Sequence, residues 1–380
     1  MSALRILSIF GTRPEAVKMA PVVQALAQTE GIEARVCVTA QHRQMLDQVL
    51  NLFGICPDVD LNLMRPNQSL SQLTANILTA LDPILIDLKP DWVLVQGDTT
   101  TVMTASLLAF YHHIRVGHVE AGLRTLDRYQ PFPEEINRRI AGVVADLHFA
   151  PTEHSRQNLL KENVPPESIV VTGNPAIDAL NQIIKFPAPA ETMHLIDRLG
   201  IRPGGKQLVL ITAHRRENLG EGIENICCAL RTLAEAYPNR LELVWPVHLN
   251  PNVQEPAYRL LAGVPNITLL PPQDNLPMVH LMKHATLMLT DSGGIQEEAT
   301  SLGIPTLVMR DVTERPEGVT AGVLKLVGTD PERIVREARL LLEDQQAYQR
   351  MASAANPFGD GHAAERIVAA LVEHSGKKAG

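Results

Sequence analysis

The stretch ILSIFGTRPEAVK, residues 6–18, carries the pattern from which the fold of the chain is predicted. Its first residues form a short apolar run with β-branched side chains, which is typical of a buried strand. Gly11 permits a tight turn after this strand, and Pro14 suits the first position of a helix. The stretch therefore predicts a strand, a turn and a helix, the repeating unit of parallel sheets that helices cover.

The same alternation of strands and helices continues through most of the chain, with an interruption at residues 185–191 (KFPAPAE). Before the interruption, the predicted strands are Ile6–Phe10, Arg35–Ala40, Trp92–Gly97, Arg115–Ala121, Leu147–Ala150 and Ile169–Gly173. After it, they are Leu208–Ala213, Leu241–Val247, Ile267–Leu270, Thr286–Thr290, Thr306–Met309 and Val323–Val327. Near-continuous apolar strands separated by helices indicate parallel sheets. We therefore predict an α/β protein with two Rossmann-like, doubly wound domains and a cleft between them.

The two predicted domains are not each continuous in sequence. The N-terminal domain takes residues 1–175 and 360–380, and the C-terminal domain takes residues 176–359. The connection is expected near Gly173 or in the proline-rich stretch after it. A last helical pattern, at residues 362–374, has one apolar face that is expected to pack on the first domain. The tail from Ser375 onward is expected to fray.

Composition disfavours several classes of protein. The 380 residues are 45% hydrophobic and 20% charged, which is typical of a globular protein with large cores. A net charge of −8 argues against a nucleic-acid partner. Four cysteines without CxxC spacing favour a reducing compartment, so we expect a cytoplasmic protein. No signal-peptide pattern follows Met1, and charged residues interrupt every apolar stretch before the ~18 residues that cross a membrane.

The turn after the first predicted strand carries two cations. Arg13 projects from the turn, and Lys18 lies about one helical turn further on. Together with free helix N–H groups, these side chains can bind a phosphate or diphosphate. The GxGxxG fingerprint is absent, which argues against the usual NAD site. The alternative is that both side chains are only solvated.

Residues 291–298, DSGGIQEE, follow another predicted strand and open a helix. Ser292 can cap this helix, while Gly293 and Gly294 allow a ligand to approach backbone N–H groups. Glu298 follows Gly294 by four residues and shares its helix face. A diphosphate at the helix start would place a ribose near this carboxylate, which suits a nucleotide sugar. The alternative is a plain cap with a surface glutamate.

Carboxylates follow several strands of the first domain. Asp98 and Glu120 come after two predicted strands, and Glu134 and Glu135 open a helix. Three carboxylates that converge on one cleft would raise one another's pKa and supply an acid and a base. Asp98 can equally be an N-cap. One member of the Glu134–Glu135 pair is expected to be structural, because acidic residues stabilise helix starts.

Polar loops also follow the strands of the second domain. His214, beside Arg215, can contact a phosphate or take part in proton transfer. His248 lies at the end of the next strand and is a weaker candidate. Arg315, in the charged loop at residues 310–318, can cover a phosphate, unless the loop is merely solvated.

A metal site is a further alternative. Asp98, His118, Glu120 and His214 are of the residue types that bind hard metal ions. There is no HExxH or paired-histidine signature, and the neighbouring arginines would compete with a cation. No metal is therefore expected.

Taken together, these motifs resemble those of the non-hydrolysing UDP-N-acetylglucosamine 2-epimerases over nearly the whole chain. Their order along one chain is far more specific than any single motif. The matching motifs are GTRPEAVKMAPV from Gly11, TAQHRQML from Thr39, QGDTTT from Gln96, HVEAGLRT from His118, PFPEEINRR from Pro131, GNPAIDAL from Gly173, HRREN from His214, DSGGIQEEA from Asp291 and TERPEG from Thr313.

The resemblance implies a glycosyltransferase-B-like homodimer that interconverts UDP-GlcNAc and UDP-ManNAc for bacterial surface polysaccharides, with no metal or nicotinamide cofactor. By motif position, the implied catalytic residues are Asp98, Glu120, Glu134 and His214. The implied substrate-binding residues are Arg13, Lys18, Gln273, Met278, Ser292, Gly293, Gly294, Glu298 and Arg315. Met278 stands where many relatives carry an aromatic residue near the uracil, which implies weaker base stacking.

Many bacterial members of this family bind a second UDP-GlcNAc as an activator. The positions that match this allosteric site are Gln41, Gln44, Arg65, Glu134, Arg215 and His248. The hypothesis for the reaction is elimination of UDP to a 2-acetamidoglucal, followed by re-addition. The alternatives are a glycosyltransferase on the same scaffold, a hydrolysing epimerase and a nucleotide-sugar sensor without turnover.

Overall fold

The computed structural model of the chain describes residues 3–40, 43–63, 65 and 68–376. Its strands are β1 (Leu4–Phe10), β2 (Ile32–Val38), β3 (Val59–Asp60), β4 (Trp92–Gln96), β5 (Arg115–Val119), β6 (Leu147–Ala150), β7 (Ile169–Val171), β8 (Gln207–Thr212), β9 (Leu241–Pro246), β10 (Ile267–Leu270), β11 (Ala285–Thr290), β12 (Thr306–Val308) and β13 (Leu324–Leu326). Its α-helices are α1 (Arg13–Gln28), α2 (Arg43–Phe53), α3 (Leu70–Leu88), α4 (Thr100–Tyr111), α5 (Glu134–Val144), α6 (Glu153–Lys161), α7 (Pro175–Ile183), α8 (Ala190–Arg198), α9 (Glu221–Ala236), α10 (Pro251–Leu261), α11 (Asn275–Lys283), α12 (Gly293–Ser301), α13 (Pro316–Thr320), α14 (Pro331–Glu343), α15 (Gln345–Ala352) and α16 (Ala363–Gly376).

The strands form two parallel sheets, one in each of two compact units. The first unit comprises Met1–Ala179 and Phe358–Gly380, and the second comprises Leu180–Pro357. The sheet of the first unit has the order β3-β2-β1-β4-β5-β6-β7, and that of the second has the order β10-β9-β8-β11-β12-β13. In each sheet the chain starts in the middle, winds to one edge and then to the other, which is the doubly wound arrangement. The predicted fold class is confirmed.

The stretch that opens the first unit forms the predicted strand, turn and helix. Strand β1 is buried from Ile6 onward, and α1 begins at Arg13. At the helix start, Thr12 Oγ1 accepts a hydrogen bond from the Glu15 N–H at 3.5 Å. Glu15 Oε2 in turn accepts one from the Thr12 N–H at 2.7 Å. This capping box satisfies N–H groups that the first helical turn leaves free, so it stabilises the turn after β1.

The turn after β1 has no room for a side chain at Gly11. A Cβ atom built there would lie 1.9 Å from Thr39 Oγ1 and 3.0 Å from Thr101 Oγ1. The two threonine hydroxyls are hydrogen-bonded to each other at 2.9 Å, which joins the end of β2 to the first turn of α4. Packing against these threonines therefore requires glycine at this position.

Some predicted strands extend too far in sequence. The strand predicted at residues 115–121 ends at Val119, because the next residue, Glu120, has a φ angle of +63°. Strand β2 likewise ends before Ala40, whose φ angle is +53°. A left-handed backbone cannot continue a strand, since strand geometry needs a strongly negative φ.

The last helix returns to the first unit. Helix α16 packs against α1, and Trp92 Nε1 donates a hydrogen bond to Ser375 Oγ at 2.9 Å. The expected packing of this helix on the first unit is therefore observed. Ser375 and Gly376 still belong to the helix, so the tail was predicted to begin too early. None of the helices among the described residues is long and apolar enough to cross a membrane.

Two buried histidines are neighbours in the sheet of the first unit. His118 on β5 pairs in register with His148 on β6. His118 Nε2 lies 2.7 Å from the carbonyl oxygen of Gly97, to which it donates a hydrogen bond. Burial lowers the pKa of each imidazole to about 4. Both histidines are therefore neutral in the folded protein near neutral pH.

We expect these histidines to make the free energy of unfolding depend on pH. In the unfolded chain each imidazole takes up a proton below about pH 6.5, whereas in the folded chain it does so only near pH 4. Stability is therefore fully present above about pH 6.5 and falls as the pH is lowered, by about 2 kcal/mol per histidine between pH 7 and pH 5. Urea unfolding at both pH values should show a smaller loss for His148→Gln than for the parent. Equal losses would contradict the assignment.

Candidate active site

The predicted motifs lie at the carboxyl ends of strands in both units. Ligands of doubly wound folds bind at this edge of the sheet, where the strand order reverses. The first half-site, in the first unit, comprises Arg13, Lys18, Asp98, Glu120 and Glu134. The second half-site, in the second unit, comprises His214, Ser292, Gly293, Gly294, Glu298 and Arg315.

Glu120 lies directly after β5 and is only 7% exposed. Lys18 Nζ contacts its Oε1 at 2.6 Å, and Asn174 Nδ2 donates a hydrogen bond to the same oxygen at 2.9 Å. Gln96 Nε2 donates to Oε2. These donors hold the carboxylate in one orientation with a positive charge beside it. Lys18, which the sequence places beside the substrate, is thus an ion-pair partner of Glu120 in this structure.

The backbone at Glu120 is strained. Its φ angle of +63° costs about 1–2 kcal/mol for a residue of this type. Gly97, whose φ angle is +80°, packs beside it, and a Cβ atom built on Gly97 would lie 3.6 Å from Glu120 Oε2. Strained residues of this kind cluster at functional sites, where the surrounding structure holds them. The backbone therefore supports a functional role for this carboxylate.

Asp98 follows β4 and pairs with an arginine of α5. Arg138 Nη2 donates to Asp98 Oδ2, and Asn137 Nδ2 donates to the Asp98 backbone carbonyl at 3.0 Å. The N-cap of α4 is Thr99, whose Oγ1 accepts a hydrogen bond from the Val102 N–H at 3.4 Å. The alternative of Asp98 as the N-cap is therefore wrong. Its side chain is 26% exposed, so a ligand can reach it.

The two glutamates at the start of α5 have different surroundings. Glu135 is fully buried, accepts a hydrogen bond from the Thr125 N–H at 3.2 Å and pairs with Arg138 at 3.3 Å. It fits the structural role that was expected of one member of the pair. Glu134 Oε2 is buried and has no hydrogen-bond partner among the residues that the structure describes. Glu134 is therefore the member of the pair that stays a candidate for proton transfer.

Glu15, which the sequence analysis did not single out, joins two turns of the first half-site. Its Oε2 accepts hydrogen bonds from the N–H groups of Gly11 and Thr12, and its Oε1 accepts one from Thr99 Oγ1 at 2.6 Å. Burial raises the pKa of this carboxyl group. The Thr-x-x-Glu spacing is a capping-box signature that predicts part of this arrangement.

Arg13 is the first residue of α1 and is half-buried. It makes no hydrogen bond or ion pair with any residue in the described part of the chain. Its charge lies next to the N-terminal end of α1, where the helix dipole also favours an anion. This position suits the predicted contact with a phosphate.

The second half-site is organised by Asp291, a buried residue after β11 that the sequence analysis assigned no role. Its Oδ2 accepts hydrogen bonds from the N–H groups of His214 and Arg215, both at 2.8 Å. Its Oδ1 lies 3.5 Å from His214 Nδ1. Burial lowers the pKa of His214, although Asp291 opposes this effect. Asp291 thus fixes the loop after β8 and lies beside the imidazole.

Arg315 is held against the start of α12. Its Nε donates to Glu297 Oε1, and both side chains are less than 10% exposed. A Cβ atom built on Gly293 would lie 2.5 Å from Arg315 Nη1. A side chain at position 293 would therefore displace the guanidinium. This contact places a positive charge beside the N–H groups of the first helical turn, which is a site for anions.

Among the remaining residues of the second half-site, Ser292 differs from expectation, whereas Gly294 and Glu298 agree with it. Ser292 is the N-cap residue of α12, but its side chain makes no capping hydrogen bond. Its backbone N–H instead donates to Thr290 Oγ1 at 3.0 Å. A Cβ atom built on Gly294 would lie 3.8 Å from Glu298 Oε1, so the two residues share a helix face as predicted.

Two of the predicted substrate-binding residues lie near the start of α11. Gln273 precedes this helix, and its Nε2 donates to the Pro271 carbonyl at 2.8 Å. Met278 lies in the helix and is partly buried. Among the described residues of the whole chain, no three His, Cys, Asp or Glu side chains are grouped as metal ligands would be.

A sequence model of the UDP-N-acetylglucosamine 2-epimerase family matches residues 24–372. The chain belongs to this family. It is 57% identical over 370 residues to the UDP-N-acetylglucosamine 2-epimerase of Salmonella typhimurium. The aligned residues cover 97% of this chain and 98% of the relative. It is 52% identical over 373 residues to a putative UDP-N-acetylglucosamine 2-epimerase of Thermotoga maritima, with 98% and 97% covered. The resemblance inferred from the motifs is confirmed, and so is the prediction of an enzyme of the epimerase class.

Solved structures of epimerase-family proteins share this fold. The UDP-GlcNAc 2-epimerase of Neisseria meningitidis, solved bound to UDP-GlcNAc, matches with a TM-score of 0.90 and 50% identity, covering 97% of this chain and 100% of that chain. The enzyme of Methanocaldococcus jannaschii, solved with UDP-GlcNAc and UDP, matches with a TM-score of 0.81 and 32% identity, covering 97% and 100%. Both likenesses support the glycosyltransferase-B-like pair of Rossmann-like units.

The residues that match the activator positions of the epimerase family are only partly described. Gln41 and the side chain of Gln44 lie outside the described residues. Arg65 is exposed and donates a hydrogen bond to the Asn62 carbonyl at 3.3 Å. In the second unit, His248 stacks on His214, with ring centroids 5.3 Å apart. The allosteric site stays a prediction.

Proposed function

We propose that the chain catalyses the reversible epimerisation of UDP-GlcNAc to UDP-ManNAc at C2 of the sugar. The observation that carries the proposal is that the two half-sites hold different kinds of chemical group. Carboxylates concentrate in the first half-site, whereas an anion site with a buried arginine lies in the second. The Neisseria meningitidis relative, 50% identical to this chain, was solved bound to UDP-GlcNAc. The proposal requires both half-sites to contact one substrate molecule.

The reaction is proposed to begin with elimination of UDP. The C2 hydrogen of the sugar is not next to a carbonyl, so a base alone cannot remove it readily. As the C1–O bond breaks, its electron pair leaves with UDP, and positive charge on C1 acidifies the C2–H bond. Loss of the C2 proton then forms the double bond of a 2-acetamidoglucal. Protonation of C2 from the opposite face and return of the UDP oxygen to C1 complete the inversion.

Groups of the second half-site would stabilise the departing UDP. Arg315 and the N–H groups at the start of α12 supply positive charge and donors for the diphosphate. His214, whose Nδ1 lies 3.5 Å from Asp291 Oδ1, would donate a proton or a hydrogen bond to a phosphate oxygen. Glu298, one helical turn from the diphosphate, would accept hydrogen bonds from the ribose diol.

Groups of the first half-site would handle the proton at C2. Glu120, Asp98 and Glu134 are the candidate acids and bases. Glu120 has Lys18 beside it at 2.6 Å, which favours a carboxylate that can accept a proton or stabilise positive charge on C1. Arg13 would contact the diphosphate from this side, since no carboxylate among the described residues pairs with it.

We further propose a cytoplasmic homodimer that binds a second UDP-GlcNAc as an activator and uses no metal or nicotinamide cofactor. These proposals rest on the family resemblance and on the elimination mechanism, which needs no redox step. The product would supply the synthesis of bacterial surface polysaccharides.

Incubation of the protein with UDP-GlcNAc in deuterated water, followed by NMR, tests the proposed function. We expect deuterium at C2 in both UDP-GlcNAc and UDP-ManNAc, because the proton lost from C2 exchanges with solvent. A requirement for an acceptor would indicate a glycosyltransferase, and release of free ManNAc with UDP would indicate a hydrolysing epimerase. Binding without any exchange at C2 would indicate a sensor.

A further inference from the structure

The segment that leaves the first unit packs against the segment that returns to it. Helix α7 carries the chain from the first unit into the second, and the chain re-enters the first unit at Phe358. The Asn174 N–H donates to the Phe358 carbonyl at 2.8 Å. A Cβ atom built on Gly173 would lie 3.2 Å from the Cα atom of Gly359. Residues 173–174 and 358–359 therefore form one joint at the connection, which we call the connection joint.

Asn174 links the connection joint to the first half-site. The residue is fully buried and directly precedes α7. Its Oδ1 accepts a hydrogen bond from the Ala176 N–H at 3.0 Å, which caps the helix. Its Nδ2 donates to Glu120 Oε1 at 2.9 Å. One amide side chain thus caps the connecting helix and holds the strained carboxylate residue after β5.

We propose that Asn174 is a positioning residue for the reaction, which orients Glu120 and ties that orientation to the connection joint. The inference rests on the proposed function, in which Glu120 acts at C2. Lys18 compensates the charge of Glu120, but its long side chain has many rotamers. The short, planar amide of Asn174 is anchored through Oδ1 to the Ala176 N–H, and the backbone N–H of the same residue is anchored to the Phe358 carbonyl. Asn174 therefore restricts where Glu120 Oε1 can lie. Errors of about 1 Å in such positions cost on the order of 100-fold in rate.

Two substitutions separate the donor of Asn174 from its capping role. Asn174→Asp keeps the size of the side chain and the capping oxygen, but it replaces the N–H donor with an oxygen that can carry negative charge beside Glu120. Asn174→Ser also keeps a capping oxygen, but its hydroxyl is too short to reach Glu120. The matched control is Asp178→Asn, because Asp178 lies on the same helix and accepts hydrogen bonds from the N–H groups of Ala363 and Ala364. Asp178 therefore joins the same segments without contacting Glu120.

The test compares kcat with the affinity for UDP, measured by calorimetry, in the full-length protein. For Asn174→Asp and Asn174→Ser we expect kcat to fall about 10- to 100-fold while UDP binds as in the parent. The control should keep the parental kcat. An unchanged kcat in the Asn174 variants, or an equal loss in Asp178→Asn, would overturn the inference. If Asn174→Ser does not fold, Asn174→Gly takes its place, because glycine is tolerated at helix N-caps and also lacks the donor. Asn174→Asp supports the inference only together with one of these variants, because repulsion between two carboxylates would also lower kcat.

A double variant shows whether Asn174 acts through Glu120. In a Glu120→Gln background, adding Asn174→Ser should cause little further loss in the rate of C2 deuterium exchange. The same fold-loss in both backgrounds would show that Asn174 acts independently and would overturn the inference. Failure of the parent protein to exchange deuterium at C2 would instead reject the proposed function, so the two failures are distinguishable.

Discussion

Replacing Glu120 by glutamine is expected to lower kcat by about 10²- to 10⁴-fold, the contribution typical of a general acid or base. Glutamine fills the same space but can neither accept the C2 proton nor carry negative charge beside C1. UDP should bind as tightly as in the parent, because its proposed contacts lie mainly in the second half-site. Steady-state kinetics and calorimetry with UDP measure the two quantities. The same pattern is expected for Asp98→Asn.

The control for this prediction is Glu153→Gln, which changes an exposed glutamate in the same unit. It should leave both kcat and the affinity for UDP unchanged. Equal losses of kcat and UDP affinity in Glu120→Gln would assign Glu120 to binding rather than chemistry. Circular dichroism and thermal unfolding of each variant would show whether the loss of kcat reflects unfolding, since Glu120 is also the partner of Lys18.

Replacing Arg315 by methionine is expected to weaken both folding and UDP binding. The substitution removes the guanidinium that Glu297 contacts in the interior of the second unit, and breaking such a buried pair costs about 3–5 kcal/mol. It also removes a charged donor from the proposed diphosphate site, which weakens UDP binding by about 10- to 100-fold. Urea unfolding and calorimetry measure the two effects.

The double variant Arg315→Met with Glu297→Gln separates these effects. Glutamine at position 297 removes the buried negative charge, so part of the lost stability should return. The affinity for UDP should stay low, because the cation is still missing. Recovery of UDP affinity together with stability would show that Arg315 only supports the fold of the second half-site.

Local pattern was sufficient to predict the elements that build the half-sites. Residues 6–18 form the predicted strand, tight turn and helix, and the same unit recurs through both sheets. The two-residue strand β3 was missed, because so short a pairing has no periodicity of its own. The position of candidate residues at strand ends followed from the rule that parallel strands present their carboxyl ends at one edge.

Contacts between distant residues were not predictable in this way. Lys18 pairs with Glu120, which is 102 residues away in the sequence. The cation that we expected to bind the diphosphate therefore contacts a carboxylate instead. Asp291 accepts a hydrogen bond from the His214 N–H across 77 residues of sequence. A side chain finds such partners only when the sheet order places its strand next to theirs.

Local periodicity and the order of the motifs were enough to establish the doubly wound α/β class, the strand-end location of the half-sites and the family. Which charges are paired depends instead on tertiary packing, which also brings Asn174 into contact with both Glu120 and the segment that returns at Phe358. A charge or hydrogen-bond donor acts only over a few ångströms. Its partners are therefore set by how distant strands and helices pack, which local sequence does not record.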